Sequence, residues 1–293
     1  MYFGITLYSL YIMSVTTNCI GDIGIYDNDV RQIIKHMAKH RGTNFVTLLG
    51  DNFYPYGIQD ERQWQAYLDT FNCIKSPVLP ILGNHDYVGD IRSQRHSNYW
   101  SMADYYYCRI YKNVGFWFLD TQILDPGDPK DPNIFMNMWK PIQKFHGSQA
   151  VAANCQLTWL RNSLERHKGI KHKVIFGHYP LFTCGIHGDN LVLIKNLLPI
   201  FKKYKINAYV SGHDHNVQHI QREITTSYTL NQFIVGCSSD ENAYKYKTKD
   251  HGCKYFNIVP SYLNISATSK SLTFKIFNKT GTVIYQLKIH LKD

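Results

Sequence analysis

Val78-Leu79-Pro80-Ile81-Leu82-Gly83-Asn84-His85-Asp86 is the stretch whose reading decides the fold. An apolar run of strand length stops at a glycine, and three residues able to hold a metal or a proton follow at once. The same grammar recurs at four other places. They are Gly21-Asp22-Ile23-Gly24, Gly50-Asp51-Asn52-Phe53-Tyr54 after the apolar Phe45–Leu49, Gly177-His178-Tyr179-Pro180 after Lys173–Phe176, and Gly212-His213-Asp214-His215 after Ile206–Val210. Open α/β sheets bind ligands at the carboxyl ends of their strands. Glycine lets the chain turn sharply there, so five such ends can converge on one centre.

Between these strands the apolar residues recur at helical spacing. Val30, Ile33, Ile34 and Met37 share a face, with Asn28 or Asp29 as the cap, and so do Trp64, Tyr67, Leu68 and Phe71, with Asp60 near the start. Asn154 reads as the cap of a helix carrying Leu157, Leu160 and Leu164, and a further helix runs across Leu191 to Tyr204. Tyr105 to Tyr111 and Gly115 to Leu119 read as paired strands of another sheet. From about Val217 the chain reads as strands, the last two flanking Lys279-Thr280-Gly281. Alternating strands and helices give an α/β class. No repeat or linker divides residues 21–293, which read as one domain, with an Asp-, Pro- and Gly-rich excursion at 121–150.

The chain has 293 residues, of which 44% are hydrophobic and 14% aromatic, a globular composition and not a disordered one. Its formal charge of +10 favours anionic partners. The Lys and Arg residues are scattered, so no dedicated nucleic-acid motif is expected. None of the seven cysteines stands in a C-x-x-C pair, which argues against a cysteine zinc knuckle. No run of about 20 apolar residues exists to span a membrane. Residues 1–20 read either as a signal segment or as the first core strand. Asn264-Ile265-Ser266 and Asn278-Lys279-Thr280 match the glycosylation acceptor pattern.

The convergent set holds carboxylates, an amide, three imidazoles and a phenol, too many donors for one tetrahedral zinc. It suits two cations about 3.5–4 Å apart, sharing a carboxylate that lowers their mutual repulsion.

These motifs resemble those of the calcineurin-like metallophosphoesterases. Gly50-Asp51-Asn52-Phe53-Tyr54 is similar to the purple acid phosphatases, with a close match to the small, mammalian tartrate-resistant type; Ile186-His187-Gly188 supports this. The resemblance runs from about Gly21 to Gly236. It implies a four-layer αββα sandwich, two mixed β-sheets flanked by helices. It also implies that Asp22, Tyr54 and His215 hold Fe(III), that Asn84, His178 and His213 hold a divalent Fe(II) or Zn, with Mn as an alternative, and that Asp51 bridges the two. The expected activity is acid hydrolysis of phosphate monoesters by a metal-bound hydroxide. His85 and His187 would supply the leaving-group proton and Asp86 would orient His85, while Asp214 reads as a structural turn residue. The 121–150 excursion falls where the family carries a loop over the site.

A monomer acting on a phosphorylated small molecule or phosphoprotein is expected, in the secretory pathway, outside the cell or in lysosomes. The cytoplasm is the alternative if residues 1–20 are not a signal. Several features depart from the family. Thr16-Thr17-Asn18-Cys19-Ile20 is not strongly apolar, Tyr87 stands where His is frequent, and the cysteine pair that ties the covering loop to the next helix is missing, Val192 occupying one position. Two other readings stay open. One is a di-manganese or di-zinc phosphodiesterase or nuclease of the same superfamily, and the other is a catalytically weak, metal-binding homologue.

Overall fold

The computed structural model describes residues 14–236 and 252–290. The first half of the chain runs β1 (Val15–Ile20), α1 (Asn28–Met37), β2 (Phe45–Leu49), α2 (Glu61–Phe71), β3 (Val78–Ile81), α3 (Asn84–Val88), α4 (Ile91–Arg95), β4 (Tyr107–Tyr111), β5 (Val114–Phe118) and α5 (Thr121–Leu124). Then come α6 (Trp139–His146), α7 (Gln149–Arg166), β6 (His172–Phe176), α8 (Leu191–Tyr204), β7 (Ala208–Ser211), β8 (Val217–Thr225), β9 (Tyr228–Val235), β10 (Cys253–Asn257), β11 (Ser261–Ala267), β12 (Ser271–Asn278) and β13 (Val283–His290). One sheet has the order β13-β12-β11-β1-β2-β3 and the other β10-β8-β9-β7-β6-β5-β4. Both mix parallel and antiparallel pairs.

Period-2 alternation explains why the sheets stack. Along β5 and β6, Phe116, Phe118, Val174 and Phe176 face the six-stranded sheet, while Trp117 and Ile175 face the other way. Phe45 meets Phe116 edge-on at 5.0 Å between the sheets, and Phe233 stacks on Phe274 at 4.6 Å. The outer face of the seven-stranded sheet is covered by Leu160 and Leu164 of α7 and by Leu193, Leu197, Ile200 and Phe201 of α8. The outer helices of the six-stranded sheet contribute Val30, Ile33, Ile34 and Met37 from α1 with Trp64, Tyr67 and Phe71 from α2. This is the expected architecture of two mixed sheets flanked by helices.

Several boundaries differ from the sequence reading. Helix α1 is capped one residue earlier, by Asp27, whose Oδ1 accepts from the Val30 N–H at 2.9 Å. Helix α7 starts at Gln149 and not after Asn154, because Ala and Gln continue the helix without a break. The 121–150 excursion contains α5 and α6.

Residues 15–20 form β1 in the interior of the six-stranded sheet, paired parallel to β2 and antiparallel to β11; residues 1–13 lie outside the described residues. Its polar side chains are tolerated because they find partners. The Asn264 amide donates to Asn18 Oδ1 at 2.8 Å, and the Asn18 amide reaches Thr43 Oγ1 at 3.4 Å. That pairing corrects the glycosylation expectation at Asn264, which is buried in β11 with its amide committed. Among the described residues no helix is long and apolar enough to cross a membrane.

Candidate metal centre

Three parallel strands of one sheet and two of the other bring their carboxyl ends to the same place. In the first sheet Ile20 pairs with Leu48 and Leu49 with Ile81, so Gly21, Gly50 and Gly83 follow in a stagger of one residue from strand to strand. In the second, Phe176 pairs with Val210, just before Gly177 and Gly212. The sheets are pinned together there by the Gly21 N–H, which donates to Val235 O at 2.9 Å; within the second sheet the Gly212 N–H donates to His178 O at 3.1 Å.

The glycines matter most where nothing larger fits. Gly50 has φ +90°, and a Cβ on it would meet His178 Nδ1 at 2.6 Å. A Cβ on Gly83 would stand 2.8 Å from Asp51 Cγ. Strain is concentrated beside them. Asp22 (φ 59°), Asp51 (φ 54°) and His213 (φ 72°) all occupy the left-handed region that non-glycine residues avoid. Such strain persists where the surroundings over-determine it, which is common at functional sites.

Asp22, Asp51 and His215 each offer a ligand atom, all within 4.8 Å of one another. The Tyr54 hydroxyl sits among them, 3.0 Å from Asp51 Oδ2, 3.3 Å from Asp22 Oδ1 and 3.0 Å from His215 Nε2. Beside this group, His178 Nε2 lies 2.9 Å from Asn84 Oδ1 and 3.5 Å from Asp51 Oδ1. Its Nδ1 faces Leu49 O at 2.8 Å. A carbonyl there requires the proton on Nδ1, which leaves Nε2 with a lone pair. His213 joins through its backbone, whose N–H donates to Asp22 Oδ2 at 2.9 Å, and its ring lies 5.1 Å from that of His178. All seven residues expected to ligate thus meet in one region, with Asp51 between the two groups.

The electrostatics point to missing positive charge. Burial, then the charge of Asp51, pushes the Asp22 carboxyl well above the usual carboxylate range. Burial also pushes Asp51 upward, but the facing His178 and His85 rings hold it below that range. Burial, with His187 next, holds the His213 imidazole well below its ordinary value. His178 is lowered too, first by burial. With the His178 proton on Nδ1 against the Leu49 carbonyl, Asn84 Oδ1, His178 Nε2 and Asp51 Oδ1 converge as acceptors. Such an arrangement is repulsive alone and suited to a cation. The donor set fits two metal ions, one bound mainly by oxygen and one mainly by imidazole.

The expected proton donors flank this centre. His85 and His187 line a cleft of about 380 Å³ together with Asp51, Asn84, His213 and His215. His85 Nδ1 faces Pro55 O at 2.7 Å and its Nε2 lies 3.9 Å from Asp51 Oδ2. The expectation that Asp86 orients His85 is corrected. Asp86 accepts instead from the backbone N–H groups of Gly83 (2.8 Å), Asn52 (3.0 Å) and Phe53 (3.3 Å) and from the Gln94 amide (3.1 Å). It clamps the two ligand-bearing loops to each other, and burial followed by the charge of Asp51 raises its carboxyl to about 7.

The residue that does orient a histidine is Asp214, which sequence reasoning took for a turn residue. It is fully buried and bonded to His187 Nδ1, with Thr183 Oγ1 and the Gln218 amide on its other oxygen. The available signal was its place between two ligand-type histidines. Tyr87, where His is frequent, donates to Asp120 Oδ2 at 2.6 Å and touches His146 Nε2 at 2.8 Å.

The covering segment is held by its own side chains. Asp125, Asp128, Asp131 and Asn133 each accept from the backbone N–H two residues on. The resulting turns present Phe135, whose ring stacks on His85 at 4.1 Å and on Tyr56 at 5.8 Å. In place of the missing cysteine pair, the Asn190 amide at the head of α8 donates to Asp125 Oδ2 at 2.7 Å.

Comparison with known proteins agrees with this geometry. The calcineurin-like phosphoesterase profile matches residues 16–217. Tartrate-resistant acid phosphatase type 5 of Rattus norvegicus is 31% identical over 237 residues, covering 72% of this chain and 69% of that protein. Purple acid phosphatase 4 of Arabidopsis thaliana is 27% identical, covering 93% and 83%. Among solved structures, GAP50, titled as the anchor in the inner membrane complex of Plasmodium, has a TM-score of 0.77 at 19% identity, covering 96% of this chain and 90% of that one, a likeness of fold. The chain belongs to the calcineurin-like phosphoesterases, and within them to the tartrate-resistant and purple acid phosphatases, phosphatase enzymes built around a dinuclear metal centre.

Proposed function

We propose that this protein hydrolyses phosphate monoesters at acidic pH, with Asp22, Tyr54 and His215 holding Fe(III), Asn84, His178 and His213 holding Fe(II) or Zn, and Asp51 shared between them. One observation carries the reading: His178 Nε2, Asn84 Oδ1 and Asp51 Oδ1 converge beside the cluster of Asp22, Tyr54 and His215. When bound, two cations would supply charge to the ester's non-bridging oxygens and would make a nearby water more acidic.

The chain's own residues do the rest. A phenol and two carboxylates are hard oxygen donors, which favours a trivalent ion on their side. The Leu49 carbonyl fixes the His178 tautomer, so its lone pair faces the centre before anything binds. Asp86 holds the loops of Asp51 and Asn84 at one spacing, so the two halves cannot drift apart. His187, its Nδ1 proton held by Asp214, and His85, its Nδ1 held by Pro55 O, both keep Nε2 for the cleft. Either can give a proton to the leaving alkoxide. Phe135 lies over His85 and limits the water reaching it.

The substrate expected is a phosphorylated small molecule or a phosphoprotein. The test is metal analysis and a visible spectrum on the purified protein, with an acid-phosphatase assay beside them. Two metals per chain, one of them iron, tyrosinate colour and turnover of an aryl monophosphate are expected. His85→Ala should lower turnover about 10²–10⁴-fold and keep the metals. A colourless protein holding only Mn or Zn and preferring diesters would replace this reading with a phosphodiesterase, and metals without turnover would replace it with a binding protein.

A further inference from the structure

Two cysteines that the phosphatase site does not use lie against each other. Cys184 is buried in the loop between β6 and α8, three residues before His187, and Cys253 is half-buried at the start of β10. Backbone register brings them together. Cys253 stands opposite Ile220 of β8, so the two side chains share one face of the sheet. Gln218, two residues before Ile220, lies on that face too, and its Oε1 accepts from the Cys184 N–H at 2.8 Å. Ile220 and Cys184 belong to one buried cluster and Cys253 packs against it. The two sulfurs are hydrogen-bonded to each other.

Both backbones are anchored. Before Cys253, the Gly252 carbonyl (φ of the residue +85°) accepts from the Gln221 N–H at 2.8 Å. Around Cys184, the Thr183 N–H donates to Asp189 Oδ1 at 3.0 Å, and the Gly185 N–H donates to Thr183 Oγ1 at 2.8 Å.

We propose that Cys184 and Cys253 form a redox pair that closes to a disulfide, joining β10 to the loop that carries His187. The oxidant is a small disulfide of the glutathione type. The hydrogen bond from Cys184 holds the Cys253 thiol below its ordinary value, and the same bond, then burial, raises Cys184. Cys253 is also the more exposed of the two and therefore attacks first. Its thiolate, having lost its proton to solvent, bonds to one sulfur of the oxidised glutathione, and that S–S bond breaks to release one glutathione thiolate. Cys184 loses its proton to solvent, its sulfur bonds to Cys253 Sγ, and the mixed S–S bond to glutathione breaks, releasing the second glutathione as thiolate. Two protein thiols are oxidised and one glutathione disulfide is reduced to two thiols. Neither cysteine occupies the positions at which the family's loop-to-helix pair stands.

The experiment uses the full chain treated with oxidised glutathione, alkylated without reduction, digested and mapped by mass spectrometry. A cross-linked peptide pair containing Cys184 and Cys253, abolished by dithiothreitol, is expected, with two of the seven thiols refractory to alkylation. The melting midpoint should rise on oxidation of the wild type and not of Cys253→Ser; the half-buried position lets that variant fold even if Cys184→Ser does not. Full alkylation of both cysteines after oxidation would overturn the proposal. So would a bridge from Cys184 to another cysteine, or a glutathione adduct that stays on Cys253.

Discussion

Gly83→Ala isolates the link between backbone space and the metal centre. The added Cβ would stand 2.8 Å from Asp51 Cγ, with Asp51 Oδ1 and backbone N closer still. Carbon atoms settle about 3.5–4 Å apart, so the Asp51 carboxylate must recede by about 1 Å. Relief by a rotamer change is blocked on two sides, because Asp51 Oδ1 accepts from the His85 N–H at 3.0 Å and Oδ2 from the Tyr54 hydroxyl at 3.0 Å. Overpacking of this kind costs about 1–3 kcal/mol, and a chain of this length loses roughly 2–4 °C of melting midpoint per kcal/mol. The fold therefore survives, lower by about 2–12 °C. The function does not: a displacement of about 1 Å at a group shared by both metals lowers turnover by ~10²-fold or more. The assay pairs circular dichroism and melting with inductively coupled plasma metal counts and kcat/KM on an aryl monophosphate. Gly169→Ala is the control, since its Cβ meets nothing within 4 Å. A folded Gly83→Ala protein with full metal content and wild-type turnover would refute the reasoning.

Asp214→Asn should lower kcat about ten- to hundred-fold with metal content unchanged, the loss expected of one charge-assisted hydrogen bond to His187; equal loss of metal and rate would make it a structural residue instead. Asn190→Ala removes the bond to Asp125 and should speed proteolytic cutting within residues 125–138, measured by timed digestion; unchanged cutting refutes the tie. Burial raises the Asp120 carboxyl to about 7, above an unfolded value of about 3.9, so the folded chain keeps a proton that the unfolded chain releases. Its contribution, ~4 kcal/mol, is full below about pH 4 and is lost as pH rises to about 7. Asp120→Asn should flatten that part of the melting-midpoint profile, and parallel profiles for variant and wild type count against it.

The sheet strands and the five ligand-bearing turns were legible because each is a local signal, an apolar run followed by glycine and a donor. The contacts that organise them were not. Asp214 looked like a turn residue because its partner His187 lies 27 positions away. Asp86 looked like a partner for its neighbour His85, yet its oxygens face Asn52 and Phe53, on a different loop. The polar β1 stayed open between a signal segment and a core strand because the residue that satisfies Asn18 is Asn264, 246 positions on. In the covering segment, α6 was missed because Asp, Pro and Gly dominate the residues before it and hide the short apolar face built round Ile142.

The position of β1 sets a schedule for the ribosome. Its parallel neighbour β2 is made next, but the strand on its other side, β11, spans Ser261–Ala267. The bridge from Gly21 likewise waits for Gly236. Asp22, the first of the seven donors to emerge, therefore gains its final seat only once β11 has been synthesised, and a nascent chain stalled before β11 should retain metal poorly however complete its other donors are.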